Sequence, residues 1–194
     1  MEEILFATSN SDKVLIAKTI CAPKGLNVEQ ISLDIDEIQG EDPKVIVEDK
    51  ARKAYQQIKK AVVVSDDSWD IPALNGFPGP YMKSLNHWFK AEDFLRLMKG
   101  IKDRTVIVYH YLSYYDGKNM LTFKNDIPGK ITYKPRGKND ISPSTTITEL
   151  AFDHGKTIAE VFEEGQEAVI RRYLNNNDVW DEFLNWYLKK HPHK

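Results

Sequence analysis

Two adjacent acidic residues in the first half of the chain give the strongest chemical signal in the sequence. Asp66 and Asp67 belong to the polar piece Ser65-Asp66-Asp67-Ser68, which follows the apolar run of residues 61–64, a run typical of a buried strand. Open α/β sheets bind ligands at the carboxyl ends of their strands, and carboxylate oxygens suit Mg²⁺. The pattern therefore indicates a magnesium site. The pair taken alone favours the alternative, in which one acid caps a turn before residues 71–72.

A second polar cluster follows the apolar run at residues 4–7. It consists of Thr8, Ser9, Asn10 and, three residues later, Lys13. Free N–H groups at a helix start, together with hydroxyl, amide and ammonium groups, can hold an anion such as a phosphate. The residues by themselves favour a simpler interpretation, a helix N-cap.

Two further groups of charged residues have both a chemical and a structural interpretation. The acids of residues 34–42 surround Gly40, and most of them are expected in a solvated loop. Lys83 follows the turn-forming residues 75–80, which could direct it toward the same strand edge as Asp67. An isolated lysine more often lies on the surface.

The elements that must position these groups alternate between strand and helix, which predicts an α/β domain with a mixed or parallel sheet. Strands are expected at residues 4–7, 26–33 and 61–64, a hairpin at 105–115 and 120–125, and a strand near 129–133. Helices are expected at residues 11–20, 43–60, 82–99 and 177–190. The helix at 82–99 is expected to bury a stripe of six apolar residues, Leu85, Trp88, Phe89, Phe94, Leu95 and Met98. The last helix has an apolar face of Val179, Trp180, Phe183, Leu184 and Tyr187, which could cover the chain's own core or a subunit interface.

Composition excludes several classes of protein. The chain has 194 residues with 29 acidic and 27 basic side chains, which predicts one domain and gives no general reason for binding nucleic acid or an anionic membrane. No apolar run is long enough to span a membrane, and Glu2 and Glu3 stand where a secretion signal would be basic. The single cysteine, Cys21, is expected to be a buried apolar side chain rather than a catalytic thiol and favours the cytoplasm.

Taken together, the motifs resemble those of the inosine triphosphate/xanthosine triphosphate pyrophosphatases, which remove deaminated purine nucleotides. The matching pieces are Phe6-Ala7-Thr8-Ser9-Asn10-x-x-Lys13, Leu33-Asp34-x-x-Glu37-x-Gln39-Gly40, Lys50-Ala51, Val64-Ser65-Asp66-Asp67-Ser68, Ala73-Leu74-Asn75-Gly76-Phe77-Pro78-Gly79-Pro80-Tyr81, Pro135-Arg136-Gly137 and Lys156-Thr157-x-Ala159-Glu160. The resemblance implies an elongated mixed β-sheet flanked by helices, two lobes with a central cleft within one domain of residues 1–194, and a homodimer. It also implies Mg²⁺-dependent hydrolysis of a nucleoside triphosphate to monophosphate and pyrophosphate.

The resemblance also implies roles for individual residues. Asp67 would orient or deprotonate the attacking water, Lys13 would assist at the phosphates, and Mg²⁺ would be held by Glu37, Asp66 and Asp67. The expected substrate-binding residues are Thr8, Ser9, Asn10, Lys13, Lys50, Ser68, Lys83 and Arg172. Lys13, Glu37 and Asp67 are accordingly expected to line one pocket.

The sequence departs from the family where the purine would be recognised. The family's Gly-aromatic-Asp-Pro segment is replaced by Ile141-Ser142-Pro143-Ser144-Thr145-Thr146, and its Ser-His-Arg by Ile170-Arg171-Arg172. Trp69 could stack on a base but is expected to cover the sheet, and Tyr111, Tyr114 or Tyr115 could supply a stacking surface. The base preference among inosine, deoxyinosine and xanthosine triphosphates is therefore expected to be altered or relaxed. The alternative is a non-catalytic homologue that binds a nucleotide or a protein.

Overall fold

The computed structural model describes residues 2–138, 140–174, 176 and 179–191. Over these residues the strands are β1 (Glu2–Ala7), β2 (Leu26–Ile31), β3 (Val62–Asp70), β4 (Pro78–Gly79), β5 (Thr105–Tyr115), β6 (Met120–Ile131) and β7 (Thr148–Leu150). The α-helices are α1 (Ser11–Cys21), α2 (Pro43–Ile58), α3 (Met82–Trp88), α4 (Ala91–Leu97), α5 (Ile158–Glu163), α6 (Gln166–Leu174) and α7 (Val179–Lys190).

The strands form one mixed sheet in the order β2-β1-β3-β5-β6-β7, and β4 pairs with β3. β1 is parallel to β2 and β3, whereas β4 and β7 pair antiparallel with β3 and β6. The parallel pairs are possible because α1 and α2 supply the crossover connections that parallel strands need. The predicted α/β fold with a mixed sheet flanked by helices is therefore confirmed.

The chain divides into two compact units. Unit 1 comprises residues 1–66, 110–125 and 177–194, and unit 2 comprises residues 67–109 and 126–176. The division falls within β3, β5 and β6, so these three strands contribute residues to both units.

The core of unit 1 is built around aromatic side chains of α7. Phe183 is fully buried and Trp180 meets Phe6 edge to face at 5.1 Å between ring centroids. All five apolar positions predicted for this helix are buried, namely Val179, Trp180, Phe183, Leu184 and Tyr187. The helix thus covers the chain's own core. Its expected first residues, 177 and 178, and the tail at 192–194 lie outside the described residues.

Cys21 ends α1 in the same unit and is fully buried. Burial and the nearby charge of Asp181 raise the pKa of its thiol to about 12. A thiol with such a pKa stays protonated near neutral pH and is a poor nucleophile. The prediction of a buried, unreactive cysteine is confirmed.

In unit 2 the structure corrects the predicted helix at residues 82–99, which is interrupted between α3 and α4. The backbone of Phe89 and Lys90 is extended, and the Lys90 N–H donates to the Asp93 carboxylate at 2.9 Å. An acid at the third helical position that accepts from the N-cap N–H in this way stabilises the start of a new helix. Trp88, predicted to be buried, is 70% exposed as a result of the break, whereas Phe94 and Met98 are buried as expected.

The structure also corrects the ends of two strands. β3 continues to Asp70, so residues 65–68 lie inside the strand and not after it. Asp has a low strand propensity, but pairing with a neighbouring strand extends β3 beyond the two acids, because Trp69 and Asp70 are in register with β4. β6 likewise runs unbroken from Met120 to Ile131 and joins two segments that were predicted separately.

None of the described helices combines the length and the apolar composition that crossing a membrane requires.

Candidate functional site

The turn between β1 and α1 is held by its own polar side chains. Asn10 caps the helix, because its Oδ1 accepts from the backbone N–H groups of Asp12 at 2.9 Å and Lys13 at 3.1 Å. The Asn10 N–H in turn donates to the Thr8 hydroxyl at 3.1 Å. The N-cap interpretation is confirmed, while the role of Thr8, Ser9, Asn10 and Lys13 in holding a phosphate stays a prediction.

Replacing Asn10 by Ala is expected to destabilise the protein by about 1 kcal/mol, because the N–H groups of residues 12 and 13 lose their acceptor. Urea denaturation of both proteins measures the change. Ser9→Ala, one residue earlier and also exposed, is the matched control and is expected to change stability by less than about 0.5 kcal/mol. Equal losses for the two variants would contradict the capping role.

Glu37 and Lys50, which the resemblance assigns to the metal and the triphosphate, are in direct contact in unit 1. Lys50 Nζ lies 2.7 Å from Glu37 Oε1 and 3.5 Å from the backbone carbonyl of Ser65. Both side chains are half-buried, with 17% of Lys50 and 30% of Glu37 exposed. This contact joins the loop before α2 to β3, one residue before Asp66.

The acidic loop of residues 34–42 is held to α2 by two further hydrogen bonds. Lys53 donates to the carbonyl of Asp36 at 2.5 Å, and Gln57 donates to the carbonyl of Asp34 at 2.8 Å. Asp42 caps the same helix through the N–H of Lys44. The loop was predicted to be mostly solvated. Although many of its side chains are exposed, its backbone is held in place by side chains from one face of α2.

Asp66 and Asp67 of β3 are both half-buried. Consecutive side chains of a regular strand point to opposite faces of the sheet, so the strand geometry does not favour Asp66 and Asp67 acting together on one cation. Among the described residues, no group of three His, Cys, Asp or Glu side chains is arranged to hold a metal ion. Magnesium does not require such a group, because it is commonly bound by one or two carboxylates together with substrate phosphates and water.

The remaining predicted substrate-binding residues lie in unit 2. Ser68 is buried with 2% of its surface exposed, and Lys83 is exposed on α3. Arg172 is buried, and its Nε lies 2.9 Å from Asp153 Oδ1. Burial raises the pKa of Asp153, and the Arg172 charge opposes this shift. The observed role of Arg172 is thus an internal ion pair, and its contact with substrate stays a prediction.

Two of the family motifs in unit 2 are joined by a hydrogen bond that the motifs alone did not predict, from the Thr157 hydroxyl to the Arg136 carbonyl at 3.1 Å. Arg136 donates to Glu149 at 2.6 Å and to the carbonyl of Gly155 at 2.8 Å. Thr157 accepts from the N–H of Glu160, whose carboxylate accepts from the Thr157 N–H, so the pair forms a capping box at the start of α5. The Thr-x-x-Glu spacing was the sequence signal for this cap.

The segment that replaces the family's purine-binding motif lies in unit 2, and its second half is buried. Ser144, Thr145 and Thr146 form a short 3₁₀ turn, and the Ser144 N–H donates to Asn86 Oδ1 at 3.2 Å. Trp69 is buried among apolar side chains of unit 2, as the preferred interpretation predicted.

The tyrosines considered as stacking surfaces belong to unit 1. Tyr111 and Tyr114 are buried, and Tyr114 packs on Phe183 and Trp186. Tyr115 meets Tyr55 edge to face. Tyr111 and Tyr114 are therefore parts of the core and do not present an open ring to a base.

Comparison with known proteins agrees with this fold and with these motifs. The family model of the Ham1 family matches residues 4–174. A dITP/XTP pyrophosphatase of Methanopyrus kandleri is 31% identical over 186 residues, which covers 95% of this chain and 96% of the relative. An inosine triphosphate pyrophosphatase of Yarrowia lipolytica is 29% identical over 172 residues, which covers 88% and 89% of the two chains.

Solved structures show the same fold. A HAM1 protein from Coxiella burnetii superposes with a TM-score of 0.77 at 21% identity and covers 97% of this chain and 100% of its own. The Ham1 protein of Staphylococcus aureus gives a TM-score of 0.70 at 22% identity, with 98% and 100% coverage. The family and the enzyme class predicted from the motifs are confirmed: this chain belongs to the Ham1 family.

Proposed function

We propose that the chain is a Mg²⁺-dependent nucleoside triphosphate pyrophosphatase. In this reaction water cleaves the anhydride bond between the α and β phosphates, which releases the nucleoside monophosphate and pyrophosphate. The contact between Glu37 and Lys50 at 2.7 Å carries the proposal, because it joins residues from two separate family motifs beside β3. Relatives named dITP/XTP pyrophosphatase that span nearly the whole chain support it.

The basic residues of the motifs would neutralise the polyphosphate. Lys50 has three donor hydrogens, so it can keep Glu37 and the Ser65 carbonyl and still donate to a phosphate oxygen. Lys13 and Lys83 would contribute further positive charge, and Thr8, Ser9 and Asn10 would contribute hydroxyl and amide groups. Preorganised donors of this kind stabilise the charge that develops on the phosphates during transfer.

The acidic residues would serve the metal and the water. Glu37 and Asp66 provide carboxylate oxygens, the donor type that Mg²⁺ prefers, and a site with only these acids would share the ion with substrate phosphates. When bound, Mg²⁺ would neutralise phosphate charge and polarise the bond that breaks. Asp67, fixed within β3, would orient the attacking water and accept its proton.

The purine preference is proposed to be relaxed toward several deaminated nucleotides such as inosine, deoxyinosine and xanthosine triphosphates. The support is the turn at residues 143–146, whose last three residues are buried and which lacks the aromatic and acidic residues of the family motif. Buried polar groups that match a base edge discriminate strongly, so their loss lowers selectivity. Ser68 and Arg172 are also proposed to bind the substrate, and only the resemblance supports these two roles.

The proposal further treats residues 1–194 as one domain that acts in the cytoplasm as a homodimer, with neither nucleic acid nor membrane as a partner. The resemblance is the only support for the dimer. The nearly balanced charge is consistent with the absence of nucleic-acid and membrane partners, and the free thiol of Cys21 is consistent with the cytoplasm.

The direct test is pyrophosphate release by the purified protein with Mg²⁺. We expect release from inosine, deoxyinosine or xanthosine triphosphate, and loss of release when EDTA removes the metal. The control is the same assay with the nucleoside diphosphates, which contain no bond that yields pyrophosphate. Nucleotide binding by calorimetry with no release from any triphosphate would establish the alternative, a non-catalytic homologue, and would refute the proposal.

A further inference from the structure

Unit 2 contains a cavity of about 560 Å³ that none of the predicted site residues lines. It is formed by the loop before β5, the end of β6 with the residues that follow it, and Glu149 of β7. Its volume is within the range of small-molecule sites in proteins. The proposed function makes no use of it.

Positive charge dominates the lining of this cavity. Five basic residues line it, whereas Asp103 and Glu149 are its acidic residues. Glu149 pairs with Arg136 at 2.6 Å and so neutralises only that one basic residue. In the part of the chain that the structure describes, no carboxylate forms an ion pair with the other basic lining residues, which are Lys102, Arg104, Lys130 and Lys134.

Arg104 is held rigidly at the cavity wall. Its guanidinium donates to the backbone carbonyls of Met98, Ile131 and Thr132, and only 9% of the residue is exposed. These carbonyls fix the side chain but carry no full negative charge. Arg104 therefore adds a positive charge that is already ordered before a ligand binds, so little side-chain entropy is lost on binding.

Tyr133 supplies an aromatic surface beside these charges. Arg104 Cζ lies 4.8 Å from the centroid of the Tyr133 ring, so the guanidinium covers one face of the ring. The residue is nevertheless 79% exposed, which leaves the opposite face open. A second cavity of about 430 Å³ shares Tyr133, Arg104 and Lys102 and adds Arg96 and Lys99. The ring thus lies between two cavities that are both lined by basic residues.

An aromatic ring with an open face, bordered by lysines without carboxylate partners, matches the two parts of a nucleotide, its base and its phosphates. Bases stack on tyrosine rings, and phosphates are bound by ammonium groups. We propose that this cavity is a second nucleotide site, which binds a nucleoside phosphate with its base on the open face of Tyr133. Lys102, Lys130 and Lys134 bind the phosphates.

The test counts bound nucleotides by calorimetry with an α,β-methylene nucleoside triphosphate, whose bridging carbon resists cleavage. The cavity variant replaces three lysines by Gln: Lys102→Gln, Lys130→Gln and Lys134→Gln. The control variant makes the same charge change at exposed lysines of unit 1: Lys18→Gln, Lys60→Gln and Lys118→Gln. We expect the cavity variant to bind one molecule per chain fewer than the wild type, and the control variant to bind as many.

Equal stoichiometry in all three proteins would overturn the proposal. Since the substituted lysines are exposed in both variants, thermal unfolding should show that the wild type and both variants are folded. The outcome is independent of catalysis, because a chain without pyrophosphatase activity would still lose one bound molecule in the cavity variant.

A second variant tests the base. Tyr133→Ala is expected to weaken nucleotide binding at this cavity by about tenfold, since stacking is lost, and to leave binding of inorganic pyrophosphate unchanged. An equal effect on both ligands, or none on either, would contradict base stacking. Tighter binding of a single-stranded oligonucleotide than of the mononucleotide would also overturn the proposal, because the cavity would then be part of a nucleic-acid surface.

Discussion

Replacing Asp67 by Asn is expected to lower the rate of pyrophosphate release by about a thousandfold, within the range typical for loss of a general base. Asn preserves the size of the side chain and one oxygen, but it cannot accept a proton from water. Asp67 is half-buried inside β3, so the strand should keep its position in the variant. Steady-state release of pyrophosphate from the best triphosphate substrate measures the effect, which should appear mainly in kcat.

Asp70 in the same strand offers a matched control. Its Oδ2 accepts from the Tyr109 hydroxyl at 3.2 Å, and Asp70→Asn can retain this hydrogen bond through its amide oxygen. We expect Asp70→Asn to keep its rate within about threefold of the wild type. Wild-type turnover by Asp67→Asn would remove Asp67 from the mechanism, and equal losses in both variants would indicate a structural effect on β3.

The elements predicted best from the sequence are those that bury a continuous apolar pattern. Val62, Val63 and Val64 are at most 1% exposed, and β3 lies between β1 and β5 as expected for a central strand. The five apolar positions of α7 are all buried. Both patterns are local, and burial is the dominant stabilising term in folding, so the pattern and the structure agree.

The errors occurred where tertiary contacts outweigh local preference. β3 continues through two aspartates because it is paired with neighbouring strands, and this pairing involves residues distant in the sequence. The apolar period of residues 82–99 continues across the break between α3 and α4, so periodicity alone could not detect it. The Asp93 cap was present in the sequence, but nothing marked Lys90 as the start of a helix.

The candidate site also has a part that the sequence predicted and a part that it could not predict. The family motifs identified Glu37 and Lys50, and the structure brings these two side chains into contact. The bonds that hold the surrounding loop could not be predicted, because Lys53 and Gln57 donate to backbone carbonyls. Every residue carries such a carbonyl, so no residue type reveals which one will be the acceptor. The functional roles of Asp67, Lys83 and Arg172 still rest on the resemblance.

Replacing Gly137 by Ala is expected to destabilise the protein by about 3 kcal/mol. Gly137 has a φ of +76°, and a Cβ at this position would lie 2.8 Å from the Glu160 N and 2.9 Å from the Ala159 Cβ. The Glu160 N–H donates to Thr157 in the cap of α5, so the added methyl group would displace the start of that helix. Urea denaturation of the two proteins measures the free energy of unfolding.

Gly155→Ala separates the steric effect from backbone strain. Gly155 has a similar φ of +82°, but apart from its chain neighbours no heavy atom lies within 4 Å of an added Cβ. We expect this variant to lose only about 1 kcal/mol, the cost of placing Ala in a left-handed conformation. The remaining difference of about 2 kcal/mol measures overpacking against α5. Equal destabilisation by the two substitutions would mean that the Pro135-Arg136-Gly137 motif does not need glycine for close packing on α5, and that only the left-handed conformation requires it.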